Sequence, residues 1–254
     1  MNLGEQLEEL RHRLLRDASD LAPGGVDDRL FTDASLLQYI KDAEYKFAKK
    51  TFCIFDGTTP KVSQIKLVTG QTTYPLHKSV FALMSARFAG KTTDVVRAGR
   101  SVVGMHVPDE FLTFDPSSTV TLPNGEPQVV YSDESMVYGG NSGMTISVFP
   151  APSATENGSI LTVRVFRVPT TVYTVDNLDV ESQLPQDYHL DVLTWAAFRA
   201  FNNFDADKGS VIKINNMKTA FDDSVKEALK DSKRRLFNQI KFEYGTNGFS
   251  WESR

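Results

Sequence analysis

At 254 residues and 28.3 kDa, with 41% hydrophobic and 24% charged residues, the chain has the composition of a soluble globular protein able to bury a sizeable core. A formal net charge of -4 argues against a general nucleic-acid binder, and no run approaches the ~20 apolar residues of a membrane span. The single Cys53 excludes an intrachain disulfide, and Met1 to Arg16 lacks the apolar centre of a signal peptide, so a protein made in a reducing cytoplasm is expected.

Leu3, Leu7, Leu10 and Leu14 recur at helical spacing, acidic residues early and basic ones late, which suits the helix dipole. The turn signal Leu21-Ala22-Pro23-Gly24-Gly25 ends that segment. Thr32 or Asp33 can cap the next helix, whose buried stripe is Leu36, Ile40, Ala43 and Phe47, and Gly57 and Pro60 close it. Cys53, at its apolar end, reads as a buried small hydrophobe.

From Val62 the hydrophobic period changes to two. Strands are predicted over Val62 to Val68, Thr72 to Leu76, Val80 to Phe88, Ser101 to Val107, Thr119 to Leu122, Gln128 to Ser132, Ser135 to Tyr138, Met144 to Phe149 and Ser159 to Val168. Pro123-Asn124-Gly125 and the Gly139 to Gly143 cluster are turns between them. Many short strands punctuated by Gly, Pro and Asn point to an antiparallel sandwich or barrel and not to a parallel sheet. Helix returns after Leu184-Pro185-Gln186-Asp187. Leu190, Leu193, Ala197, Phe201 and Phe204 share one face, widened by Trp195 and Phe198. After a break at Lys208-Gly209-Ser210, Met217, Phe221, Val225 and Ala228 mark a last helix ending near Arg235.

The expected fold is therefore α+β. Residues 1–60 and 181–236 supply one helical bundle, 61–180 form an inserted antiparallel β-sandwich-like or barrel-like domain, and 237–254 form an extended tail.

No catalytic, cofactor or metal site is expected. Gly90-Lys91-Thr92 resembles the end of a phosphate loop, but Ser85 stands where the motif needs its first glycine. His12, His77, His106 and His189 share no ligand spacing, and His189 at a helix start is placed to hydrogen-bond the preceding loop. No serine lies in a nucleophile elbow, and Asp222 and Asp223 point in different directions from one helix.

Two features point to partners. Lys226, Lys230, Lys233, Arg234, Arg235 and Lys241, offset by Glu227 and Asp231, put about +4 on one segment and leave about -8 on the rest. Either this is a solvated helix end or a basic docking surface. The tail carries Phe242, Tyr244, Phe249 and Trp251. Burying four aromatic side chains contributes roughly 6–12 kcal/mol, and ordering about a dozen residues costs at least ~1 kcal/mol each. The two nearly cancel, so a free tail is expected to be flexible and to order on a partner that adds backbone hydrogen bonds or through many copies acting together; the other reading is a disordered terminus or a tail folded back on its own body.

Leu36-Leu37-Gln38-Tyr39-Ile40-Lys41-Asp42-Ala43-Glu44 resembles the opening of the head-to-tail adaptor (connector) proteins of short-tailed bacteriophages. Val68-Thr69-Gly70-Gln71-Thr72-Thr73-Tyr74-Pro75-Leu76, Val148-Phe149-Pro150-Ala151-Pro152, Phe166-Arg167-Val168-Pro169, Leu184 to His189 and Ala196 to Phe201 extend the likeness in order. The resemblance implies a structural virion protein made in the bacterial host. Its copies would form a homo-oligomeric ring, usually of twelve, beneath the portal protein, extending the DNA channel and carrying the tail nozzle or fibres. It gives the aromatic tail the portal as partner, with DNA passing without sequence-specific binding and no membrane contact. The large β insertion departs from the nearly all-helical members. Two other readings stand beside it: another tail-completion protein or a receptor- or glycan-binding module carried by the β domain, and a DNA binder using the basic helix.

Overall fold

A computed structural model describes residues 1–17, 29–88, 90–91, 94–97, 124–133, 137–138, 141–203 and 211–239. Helix α1 (Leu3–Glu9) opens with a capping box. The Asn2 side chain accepts from the Glu5 N–H at 2.7 Å, and the Glu5 carboxylate accepts from the Asn2 N–H at 3.0 Å. The helix then widens into a π-helical turn over Leu10–Leu15 and stops at Arg16 in the left-handed region (φ 58°). The wider turn shifts the inner face by one position, so Leu15 is buried where Leu14 was expected, and Arg11 turns inward.

Helix α2 (Asp33–Thr51) is capped by Thr32, whose hydroxyl accepts from the Ser35 N–H at 3.3 Å. Its predicted stripe of Leu36, Ile40, Ala43 and Phe47 is fully buried. Helix α4 (His189–Asn203) follows a 3-10 turn at Gln186–Tyr188, and α5 (Val211–Gln239) is the longest element. These helices share one core that includes Leu3, Leu36, Phe47, Leu193 and Phe221. The face of α4 differs from the expected one. Val192, Leu193, Ala196, Ala197 and Ala200 point inward, Leu190 is exposed, and Phe204 lies outside the described residues. Small alanines let α4 pack closely between α2 and α5, which leaves its larger side chains on the flanks. Helix α5 begins six residues before Met217 and runs past Arg235.

The strands are β1 (Phe55–Asp56), β2 (Gln64–Lys66), β3 (Thr73–Pro75), β4 (Val80–Phe88), β5 (Val96–Arg97), β6 (Val129–Asp133), β7 (Val137–Tyr138), β8 (Asn141–Ser142), β9 (Thr145–Phe149) and β10 (Ile160–Arg167). In one sheet β10 pairs along its length with β4 and on its other edge with β1 and β2, all antiparallel. The second sheet has the order β3-β9-β6-β5, and β7 pairs with β8 in a separate ladder. The alternation of β10 sends Leu161, Val163 and Val165 to a core that Tyr74, Val130, Ile146 and Val148 enter from the second sheet.

The chain is thus α+β with mainly antiparallel sheets, with three differences from expectation. Val96 and Arg97 pair with Val129 and Val130 in parallel, a crossover that the long connection over 98–128 permits. Residues Pro60–Ser63 form a helical turn, α3, where a strand was predicted. Pro60 suits the first helical position, and the Asp56 carboxylate accepts from the N–H groups of Thr58 and Thr59, so the strand is confined to Gln64–Lys66. The two-residue β1 was not anticipated, nor was β8, which falls within the predicted Gly139 to Gly143 turn. The strands predicted at 101–107 and 119–122 lie outside the described residues.

Candidate assembly interface

The chain between β10 and α4, residues 168–188, lies across α2 as a strap. At its centre Glu44 of α2, fully buried, accepts from Gln6 Nε2 at 3.2 Å, from Ser182 Oγ at 2.7 Å and from the Tyr173 hydroxyl. One carboxylate therefore ties α1, α2 and both ends of the strap. Burial, and then the adjacent Glu44, push the Tyr173 hydroxyl above its ordinary range. The strap also feeds α1: the N–H groups of Leu3 and Gly4, unpaired within a first helical turn, donate to the carbonyls of Val180 and Leu178.

Arg167 fastens the strap to the β body, donating to Asp56 at 2.7 Å and to the Gln183 side chain at 2.6 Å. Burial pushes the Asp56 carboxyl up, but the Thr59 N–H, Arg167, the Thr59 hydroxyl and the Thr58 N–H together outweigh this and hold it at about 2. Beside this joint the rings of Phe81, Phe52, Phe166 and Phe55 form, in that order, a chain with centroids 5.4 to 5.6 Å apart. Phe52 sits in the left-handed region (φ 54°) that a helix end usually gives to glycine, so the aromatic contact is kept against a backbone cost.

Three helices converge on a basic patch that the sequence did not disclose. Lys46 Nζ lies 3.1 Å from the Trp195 ring centroid, with Lys50, Arg199 and Lys218 around it. Lys50 pairs with Asp222 at 3.1 Å and Arg199 with Asp42 at 3.6 Å, so four cations face two carboxylates. Burial, followed by repulsion from Lys50, lowers the Lys46 ammonium below its ordinary value. On the other flank of α2 a cleft of about 610 Å³ opens between Lys41, Tyr45, His77, Lys78 and the strap.

A family model described as SU10 adaptor protein matches residues 1–241. The chain belongs to the SU10 adaptor protein family. The match covers the helical bundle and β body together, in agreement with the resemblance read from the α2 motif. No curated protein matches the chain at a significant level. Membership makes the adaptor a phage structural protein with a tail-related role and a place in the virion.

Five of the predicted basic residues of the adaptor lie along α5. Lys226 pairs with Asp223 at 2.8 Å and Arg234 with Asp231 at 3.5 Å, while Asp231 also accepts from the Tyr188 hydroxyl at 2.9 Å. Burial and Asp231 push that hydroxyl up to about 12. The cationic segment is thus crossed by carboxylates, and Lys230, Lys233 and Arg235 have no ion pair among the described residues. Lys241 and the aromatic residues Phe242, Tyr244, Phe249 and Trp251 lie outside the described residues.

Other candidates have structural partners. His189 Nε2 donates to the Leu184 carbonyl at 2.9 Å, and His77 shares a hydrogen bond with Ser79 at 2.8 Å. Lys91 pairs with Glu126 at 3.2 Å beyond the left-handed Gly90. Cys53 is half-buried where a buried position was expected, and burial raises its thiol. Among the described residues no cluster of His, Cys, Asp and Glu could hold a metal ion, and no helix is long and apolar enough to cross a membrane.

Proposed function

We propose that this adaptor assembles as a closed ring, twelve copies in the portal's symmetry, docked beneath the portal of a short-tailed phage. In that position it extends the DNA channel and presents a platform for the nozzle or fibres. The observation that carries this reading is the construction of α5. Its 29 residues span about 43 Å, yet Phe221, Val225 and Ala228 are its buried side chains among the described residues. The helix is a strut with one inner stripe, and it leads directly into the sequence that carries Phe242, Tyr244, Phe249 and Trp251. Those aromatics form the portal contact, and Lys226, Lys230, Lys233, Arg234, Arg235 and Lys241 form the basic collar behind it.

In this reading residues 1–60 and 181–236 are the ring-forming bundle, 61–180 the tail-facing β body and 237–254 the portal-binding tail. The mild net acidity lets DNA pass without adhering.

The test is native mass spectrometry of the adaptor co-expressed with the portal protein of the same genome. Equal copies in one closed complex are expected. Removing residues 242–254 should abolish the complex while far-UV circular dichroism keeps the helical signal. A truncated chain that binds the portal unchanged overturns the role given to the tail.

A further inference from the structure

The flank of α2 against α4 and α5 is basic, whereas beyond Lys41 and Lys78, which line the cleft on its other flank, the strap exposes a run of acids. On the flank against α4 and α5, Lys46, Lys50, Arg199 and Lys218 outnumber Asp42 and Asp222, and the Arg199 Nε–H is buried without an acceptor. Half-buried Trp195 and Phe198, ring centroids 4.9 Å apart, give this patch an apolar floor. On the other flank the strap passes Tyr173 beside Tyr45 and then exposes Asp176, Asp179 and Glu181, none with an ion pair among the described residues. Val175, 45% exposed, adjoins Asp176, and Val172, 61% exposed, lies at the cleft with Lys41 and Lys78. The two patches are complementary: surplus cations around aromatic rings on one side, and on the strap three exposed carboxylates that have no ion pair among the described residues.

The two patches belong to different surfaces of one chain, so they cannot meet as a self-complementary twofold pair. They can meet between successive copies, and a repeated head-to-tail contact generates a ring when its rotation closes. Building on the ring reading above, we infer that adaptor subunits join through these patches, the basic α2–α4–α5 flank of one copy receiving the acidic strap of the next. The strap is suited to be the inserted element because its backbone is already held. Glu44 fixes Tyr173 and Ser182, and α1 receives the Leu178 and Val180 carbonyls, so docking orders little that is not ordered beforehand.

Zero-length carbodiimide cross-linking of the wild-type adaptor assembled on its portal, read by peptide mass spectrometry, tests this directly. Lys46 or Lys218 joined to Asp176, Asp179 or Glu181 is expected in the ring and absent from the monomer. Rings lacking every such pair overturn the interface but leave the ring standing, whereas a wild-type chain that never closes a ring on the portal removes both. Charge reversal supplies the second arm. Like charges brought face to face cost several kcal/mol, so the Lys46→Glu, Lys218→Glu chain should lose at least ~10-fold in ring yield. Adding Asp176→Lys and Glu181→Lys to that chain should restore the yield, because the attraction is then inverted. Undiminished rings from the reversed chain, with circular dichroism unchanged, overturn the proposal.

Discussion

In the helical bundle the groups withdrawn from water include Arg11, Asp17, Glu44 and His189, whereas in the β body they are mostly hydroxyls, among them Ser63, Thr145 and Ser147, with one carboxylate, Asp56, paired to Arg167 at its edge. The two interiors solve different problems. A strand in a sheet has its register dictated by the hydrogen-bond ladder and the in-out alternation, so an apolar core can leave specificity to the backbone. Helices gathered from both ends of a chain present smooth apolar stripes that can slide and rotate. A buried charge that is satisfied in only one arrangement removes that freedom, at a cost in desolvation. Arg11 does this at the N-terminus of α2, bonding Asp17 at 3.0 Å, the Phe31 carbonyl at 2.8 Å and the Asp33 carboxylate.

The contrast breaks most heavily at Arg11. Arg11→Ala leaves the buried charge of Asp17, its side chain 4% exposed, without its ion-pair partner and held by the Leu30 and Phe31 N–H groups alone, and a loss of about 3 kcal/mol is expected in urea unfolding. Arg11→Met, which keeps the volume, should do little better, since the charge on Asp17 remains. A loss below about 1 kcal/mol would show that water or rearrangement replaces the guanidinium, and the contrast would fall.

The β body should answer to volume alone. Leu161, fully buried at the centre of β10, should lose about 3 kcal/mol as Leu161→Ala through the cavity left behind. As Leu161→Met it should lose less than about 1.5 kcal/mol, because apolar surroundings tolerate a volume-conserving exchange. If Leu161→Met matched Leu161→Ala in urea midpoint, the sheet interior would be as geometrically demanding as the bundle.

The same difference explains what could be read from the sequence. Period-three-to-four stripes located α2, period-two runs placed β4 and β10 within a residue or two, and the order helix, strands, helix followed. Local chemistry also sufficed for Thr32 as a cap and for His189 bonding back to Leu184. The polar hubs left no local trace. Glu44 bonds partners 38, 129 and 138 positions away, and within α2 it reads as one more helical surface acid. The basic patch is invisible for the same reason: Lys46, Arg199 and Lys218 come from three helices, and only packing brings them together. The strand β1 has two residues, too few to show a period.

Between the two interiors the joint at Asp56 gives a smaller, pH-dependent test. Its folded carboxyl lies at about 2, against 3.8 for the free group. A depressed folded value stabilises above the unfolded pKa, so this contribution is full above pH 4 and is lost as the pH falls toward 2. Its size is about 2 kcal/mol. Asp56→Asn should lower stability at pH 7 by roughly that amount and flatten the profile between pH 4 and 2, as followed by urea midpoints. A variant whose acid limb matches the wild type would assign the acid sensitivity to other carboxylates.

The smallest effect sharpens the comparison furthest. Thr32→Ala removes one acceptor from the first turn of α2, a loss of about 1 kcal/mol on its own. In the native bundle Arg11 already holds the adjoining Phe31 carbonyl and Asp33 carboxylate, so the start of α2 is positioned from outside the helix as well as by its own cap. If the buried charge serves to place this helix, the cap should matter more once Arg11 is gone. The Thr32→Ala penalty measured in an Arg11→Ala background should then exceed its wild-type value by more than about 0.5 kcal/mol, the level at which neighbouring sites are taken as coupled. Additive losses would mean that Arg11 compensates Asp17 and does nothing for the helix. The charges of the bundle would then be a local ion pair, and its arrangement would rest on the same apolar fit as the β body.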